Sequence, residues 1–489
     1  MRDRTAPRLC GADESYLLAE DLFGVDAPIQ FCWVFEADPG DQAIDDLGHA
    51  LAAGSLHRTV VRARVPGARH RWVRAATVPP AGRGGVIGDD EIGEWADRTL
   101  RSADVRPTTG AGWRLDSATT VSGRRVLSLL VSHMIADGQG VYRALADAAA
   151  GTSASLPLAD SAGGLGGVID DVVDAVTQVA AAGRAGRLLV LQLLRSPRRG
   201  SSDATGSARR TSIDEAADTD SSTVVDGRTT VATGPDGAAS MSVQDAHPAG
   251  IGAGAAGCGS GDREPTLAIV DVDGALWQRR ARECGGTANS LFTALLAGIV
   301  QRSTYPVGDQ LRACIAVSRR SGHQDQRANA SGGVWIRLVD PVVAGGDLSI
   351  IRARSKEAFT AYAETGADQV ADNLQPVVRL LPRRLVGSLM RSIPGPDTTV
   401  SNLGEAPDEA LTVGGVRASS FAIRAIMQGT PAWQRRRQGP ALAAWAVTYD
   451  ERITLTFFGI HPDHFGDRHL LGKLVEDELR SWGLAHRFW

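Results

Sequence analysis

The segment Val126-Leu-Ser-Leu-Leu-Val-Ser-His133-Met-Ile-Ala-Asp137-Gly138-Gln-Gly140 combines residue types that could move a proton. In a strand, alternate residues face the same way, so Leu127, Leu129, Val131 and His133 share one apolar face. His133 then stands at a strand end and points inward. Burial disfavours an imidazolium and keeps a nitrogen lone pair available, which is what a general base needs. Asp137 falls in the turn that follows. Gly138 and Gly140 loosen the backbone there and permit close approach of a ligand to the main chain. A His-to-Asp spacing of four would suit two metal ligands on one helix face. The glycines argue against a helix at this point, and a zinc motif would bring a second histidine, so no metal is expected. From these residues alone, a core histidine beside an ordinary turn aspartate accounts for the pattern as well as catalysis does.

The flanking sequence supplies elements to hold such a segment. Ile29–Ala37, Thr59–Val65 and Val126–His133 read as strands, and Ile44, Leu47 and Leu51 mark one face of a helix over 41–53. A helix is expected from about Val141 to Ala149 and a helix pair over Asp170–Leu194. Further on, Leu267–Val272, Arg312–Val317 and Val334–Leu338 read as strands. Thr287 is placed to cap a helix running to about Val300. Ala443–Thr448 and Ile453–Phe458 flank Tyr449-Asp450-Glu451-Arg452 as a hairpin. A last helix carries Leu471, Leu474, Val475 and Trp482 on one side. Strands and helices alternate in both halves, which predicts two α/β lobes of like construction.

Between them, from about 197 to 264, the chain is rich in Ser, Thr, Gly, Asp and Ala. It has too little apolar surface to offset the entropy of ordering it. The expected organisation is therefore an N-terminal lobe over 1–196, a disordered linker or long loop over 197–264, and a C-terminal lobe over 265–489. Gly252, Gly254 and Gly257 in that linker match G-x-G-x-x-G, but without the strand and helix a dinucleotide site requires.

The 489 residues carry a formal net charge of −4 with no long run of one sign, which gives a nucleic-acid role no support. Cys10, Cys32, Cys258, Cys284 and Cys314 are widely spaced and form no CxxC pair, so free thiols in a reducing compartment are expected. No apolar run is long enough to span a bilayer and no signal peptide is apparent, which points to the cytoplasm. Near-exclusive use of arginine over lysine, with many glycines and alanines, fits a GC-rich bacterial genome.

His133-Met-Ile-Ala-Asp137-Gly138 resembles the H-x-x-x-D-G motif of the CoA-dependent acyltransferase superfamily. That superfamily takes in chloramphenicol acetyltransferase, condensation domains, wax ester synthase/diacylglycerol acyltransferases and polyketide-associated acyltransferases. Other segments are similar in the same order. They are Leu56–Arg64 (H-P-x-L-R-x-R), Thr287–Leu291 (T-x-N-D), Ile315–Arg320 (V-P-V-S-x-R) and Val400–Gly404 (V-S-N-x-G). The sequence departs from the pattern at Ser132, where many relatives have a first histidine, and at Ala316, where proline is usual. Asn329-Ala330-Ser331-Gly332 matches the Gly-Asn stretch loosely.

The resemblance implies two chloramphenicol-acetyltransferase-like lobes set as a V-shaped pseudo-dimer about a central tunnel. It implies an acyltransferase, with His133 as the base that moves an acyl group from a thioester to a hydroxyl of a hydrophobic alcohol or lipid. Asp137 and Gly138 would be structural, with Arg320, or failing that Arg319, as the partner of Asp137. Ser132, Ser401 and Asn402 would line the tunnel. Acyl-CoA, or a phosphopantetheinyl carrier protein, would be a co-substrate and no cofactor would be bound permanently. The chain would work as a monomer. The alternatives are a stand-alone condensation domain fed by a carrier protein and a catalytically silent binding module.

Two features compete for attention. His461, Asp463, His464 and His469 invite a metal assignment, but their position after a strand fits a solvated loop. The basic and apolar stretches Arg184–Arg195 and Pro376–Leu385 suit either packed amphipathic helices, the commoner use, or peripheral contact with the inner membrane surface.

Overall fold

The computed structural model describes residues 7–154, 156–158, 165–195, 263–320, 325, 327–365, 375–392 and 394–489. Residues 1–191 and 261–489 form one compact unit. The linker glycines and Cys258 lie outside the described residues.

Two sheets carry the architecture, and the chain is an α/β protein. Strands β1 (Pro28–Phe35), β2 (Arg58–Val61), β3 (Arg71–Arg74), β4 (Gly82–Ile87), β5 (Trp113–Thr120) and β6 (Arg125–Ser132) come from the first half. The second half gives β7 (Thr266–Asp273), β8 (Leu311–Ser318), β9 (Ser331–Leu338), β10 (Thr398–Glu405), β11 (Thr412–Val413), β12 (Val416–Arg417), β13 (Ser420–Ala425), β14 (Leu442–Tyr449), β15 (Arg452–Gly459) and β16 (His486–Phe488). One sheet has the order β13-β1-β6-β5-β4 and the other β16-β7-β15-β14-β10-β8-β9. The C-terminal half thus lends β13 to the N-terminal sheet, where it pairs antiparallel with β1 from Ile29–Ala425 to Val34–Ser420. β6 lies on the other side of β1, and its last residue, Ser132, pairs with Pro28.

β1 and β6 are apolar on both faces because both faces are covered. Leu127, Leu129 and Val131 join Phe31, Trp33 and Phe421 in one core, while Val126 and Leu130 face others. In the second sheet β14 and β15 form the expected antiparallel hairpin. The helix Ala288–Arg302 is capped by Thr287, whose hydroxyl accepts from the Ser290 N–H. It is buried from Ser290 to Val300.

Three expectations need correction. The strand over Thr59–Val65 is only four residues long, Arg58–Val61, and pairs antiparallel with β3. The helix after His133 begins at Gly138, not near Val141. Gly138 and Gly140 form its first turn, and at Gly140 it is want of room against backbone that calls for glycine. A Cβ on Gly138 would run into Leu403, and one on Gly140 into the Ala328 carbonyl. The expected helix pair is one continuous helix, Leu165–Arg195.

Candidate functional site

His133 follows β6 directly, and the main chain around it is tied down from several directions. Its N–H donates to the Ala27 carbonyl at 2.8 Å. The Asn329 side-chain amide lies 2.8 Å from the His133 carbonyl, 2.9 Å from that of Met134 and 3.0 Å from Asp13 Oδ1. Arg58, whose guanidinium lies 4.2 Å over the Trp72 ring, donates to the Ile135 carbonyl. The Ser132 hydroxyl accepts from the Met134 N–H at 3.3 Å. The Asp137 N–H donates to the Ala328 carbonyl at 3.1 Å. A backbone turn whose polar groups are met from outside the turn has little freedom to move.

Asp137 caps the helix Gly138–Ala149, its Oδ1 accepting from the Gly140 N–H at 2.8 Å. The same carboxylate takes a two-pronged ion pair from Arg320, at 2.8 and 3.1 Å. It also accepts from the Ala330 N–H at 2.8 Å and the Ser331 hydroxyl at 2.9 Å. Burial alone would raise this acid. The Arg320 guanidinium, with the N–H groups of Ala330 and Gly140, holds it below the usual carboxylate range instead. Asp137 therefore fastens the turn after β6 to the entrance of β9, binding first half to second.

The imidazole of His133 is left out of this web. Tyr16, from the helix Gly11–Phe23, stacks on it with ring centroids 4.5 Å apart and planes 20° from parallel. Nδ1 is enclosed and has no hydrogen-bond partner. His133 as a residue keeps partial exposure to solvent. Burial pushes the imidazole below the ordinary histidine value, against the opposing influence of Asp137, its own carbonyl and Asn329. Burial also raises the Tyr16 phenol, helped by the Asp137 and Asp13 carboxylates. A neutral ring held in a fixed plane by an uncharged neighbour is suited to accept a proton.

The other candidates take various places. Ser132 is buried and Gly138 meets Leu403. Gln139 donates to the Leu403 carbonyl at 3.0 Å, so the end of β10 abuts the helix that begins at Gly138. Asn402 is exposed. It donates to Asn289 at 2.7 Å and accepts from the Gly404 N–H at 2.9 Å, while Ser401 is half-buried in β10. The Arg319 N–H donates to the Ala330 carbonyl at 2.6 Å. Sequence reasoning passed over Tyr16, Asp13, Arg58 and Asn329 as site residues. Asn329 carried a faint signal in its Asn-Ala-Ser-Gly stretch and Arg58 in its H-R-T-V-V-R run; Tyr16 and Asp13 carried none.

Among the described residues no group of His, Cys, Asp or Glu is placed to hold a metal. His461 and His464 are not on a solvated loop. His461 is buried, caps the short helix Pro462–Phe465, and meets Tyr305 and His464 edge-on or tilted. No described helix is long and apolar enough to cross a membrane.

Solved structures with this fold include the first condensation domain of the CDA synthetase, at 15% identity, covering 98% of this chain and 95% of that one with a TM-score of 0.53. Wax ester synthase/diacylglycerol acyltransferase from Marinobacter aquaeolei VT8 is similar at 13% identity, 97% and 98% coverage and a TM-score of 0.53. The condensation domain of Monacolin K polyketide synthase MokA follows at 12% identity, 98% and 96% coverage and a TM-score of 0.52. The chain shares its fold with these condensation domains and with this wax ester synthase/diacylglycerol acyltransferase. No family model matches the sequence, and no curated protein does.

Proposed function

We propose that the chain transfers an acyl group from a thioester to a hydroxyl, with His133 as general base. One observation carries this: a neutral imidazole held at a strand end by its main chain and by Tyr16, with Nδ1 left without a hydrogen-bond partner. The likeness to condensation domains and a wax ester synthase supports the reaction class.

Nε2 takes the proton of the acceptor hydroxyl as its oxygen attacks the thioester carbonyl. The tetrahedral adduct collapses with loss of the thiolate, which receives that proton from the imidazolium. An ester and a free thiol result, and no acyl-enzyme is needed. General base catalysis of this kind contributes roughly 10²–10⁴-fold. Asp137 takes no part in proton transfer, because Arg320, Ala330, Ser331 and Gly140 occupy its oxygens. Its role is to hold the turn. The donor is acyl-CoA and the acceptor a hydrophobic alcohol or lipid.

The test follows free thiol from acyl-CoAs of several chain lengths, with and without long-chain alcohols. Acceptor-dependent release that His133→Ala removes, at unchanged melting temperature, is the expected result. Near-normal rates in His133→Ala would overturn the assignment. Release only from carrier-bound acyl groups would move the donor to a carrier protein.

A further inference from the structure

The helix Leu165–Arg195 is turned the wrong way round for a packed amphipathic helix. Its buried face is polar but for Ala175. Asp171, Asp174 and Gln178 are buried. Asp171 pairs with Arg8 at 2.7 Å and Arg71 at 2.6 Å, and Asp174 with Arg69 at 2.7 Å. Gln178 accepts from Arg379 at 2.7 Å. On the opposite side, at three- and four-residue spacing, stand Leu165, Ile169, Val172, Val173, Val176 and Val179, each between 47% and 80% exposed. This apolar stripe runs about 21 Å along the helix at 1.5 Å per residue. Arg184 and Arg187, both exposed, continue the helix beyond it. The acids are drawn inward and neutralised; what faces out is apolar and then positive.

A second exposed helix has the same character. Arg379, after reaching Gln178, leads into the helix Arg383–Ser392, whose Leu385 and Leu389 are about half exposed beside exposed Arg384 and Arg391. The linker is a poor cover for such a surface, since residues 197–264 contain no leucine, phenylalanine, tyrosine or tryptophan.

We propose that the outer face of Leu165–Arg187 docks on an anionic lipid surface, the valines and Ile169 entering the interface and Arg184 and Arg187 meeting the headgroups. Charge complementarity selects this occupant. A stripe of branched apolar side chains gains by leaving water, and arginines at its end gain further only where the opposing surface is negative. The proposal stands apart from the acyl-transfer assignment, since binding is measured without turnover.

The experiment floats the full chain with vesicles of phosphatidylcholine alone and of phosphatidylcholine with phosphatidylglycerol. The expected result is recovery with the anionic vesicles, weakened by salt. Val173→Glu with Val176→Glu should lower recovery at least tenfold without lowering the melting temperature, since both side chains are exposed. Should that pair not fold, Arg184→Gln with Arg187→Gln serves instead, with a loss of about fivefold per charge removed. Absence of flotation with either vesicle, or flotation unaffected by both pairs, overturns the proposal. So does a dimer in light scattering that Val173→Glu with Val176→Glu dissolves while no vesicle is bound, which would assign the face to a second copy of the chain.

Discussion

His133 and His461 each follow a buried strand, β6 in one sheet and β15 in the other, and each precedes a helix. The protein uses them differently. Nδ1 of His461 accepts from the Asp463 N–H at 3.4 Å and so caps its helix, while Asp463 is paired with Arg436 at 2.8 Å. Its ring packs against Tyr305 and His464. At His133 the cap is Asp137, four residues on, and the turn is gripped through its carbonyls by Asn329 and Arg58. The structural work that one histidine performs with its ring has been handed to neighbours at the other. A lone pair spared in this way, on a ring that burial keeps neutral, is available for chemistry.

The comparison is broken most directly by removing each ring. His133→Ala should lower turnover by about 10²–10⁴-fold and leave the melting temperature nearly unchanged. His461→Ala should do the reverse. Loss of its cap costs about 1–2 kcal/mol of stability, read from denaturant melts, with the rate per folded molecule preserved. Equal kinetic losses in the two variants would erase the distinction.

Next in size is the pair that replaces the ring as a structural tie. Asp137 and Arg320 are both largely buried, so removing one strands the other's charge. Asp137→Ala or Arg320→Ala should each cost about 3–5 kcal/mol. The double variant should cost much less than the sum, because the second change relieves the stranded partner. Additive losses in chemical denaturation would show that the two act separately.

Asn329→Ala should cost about 1–3 kcal/mol, since it leaves the carbonyls of His133 and Met134 buried without a donor. Turnover should fall with it, more than for a stability-matched variant elsewhere, because the turn that aims the imidazole is loosened. An unchanged rate at full folding would mean that Arg58 and Asp137 hold the turn unaided.

Much of the frame was legible in the sequence, and the reason is local. Alternation in Val126–Ser132 and the cap at Thr287 act within one element, so short-range rules find them. The partners of the turn were not legible in that way. Asp13, Arg58 and Asn329 reach it from distant parts of the chain, and no periodicity spans such gaps; Arg320 was named through the resemblance and is the partner of Asp137. The helix Leu165–Arg195 shows the second limit. Periodicity separates its two faces, but which face turns inward was decided by Arg8, Arg69 and Arg71, which supply Asp171 and Asp174 with charge. Gly138 and Gly140 misled for a related reason. Glycine was taken as freedom of backbone, whereas at Gly140 the Ala328 backbone requires it as absence of a side chain.

The smallest expected effect concerns pH, and it sharpens the comparison because burial depresses both histidines. A depressed histidine binds fewer protons folded than unfolded, so its contribution to stability is complete above about 6.5, the unfolded value, and is lost as pH falls toward the folded one. Both rings should therefore make the protein less stable in mild acid, and replacing either with alanine should flatten that dependence in melts taken from neutral pH downward. Turnover separates them. Only His133 must be neutral for the reaction, so the acid limb of the rate profile should lie below pH 6.5 and be unmoved by His461→Ala. Tyr16→Phe keeps the stacked ring and should leave the limb in place. Tyr16→Ala opens the site to water, which favours the imidazolium, and should shift the limb upward toward 6.5. A limb that ignored Tyr16→Ala would mean that the stacked phenol does not help keep the base neutral.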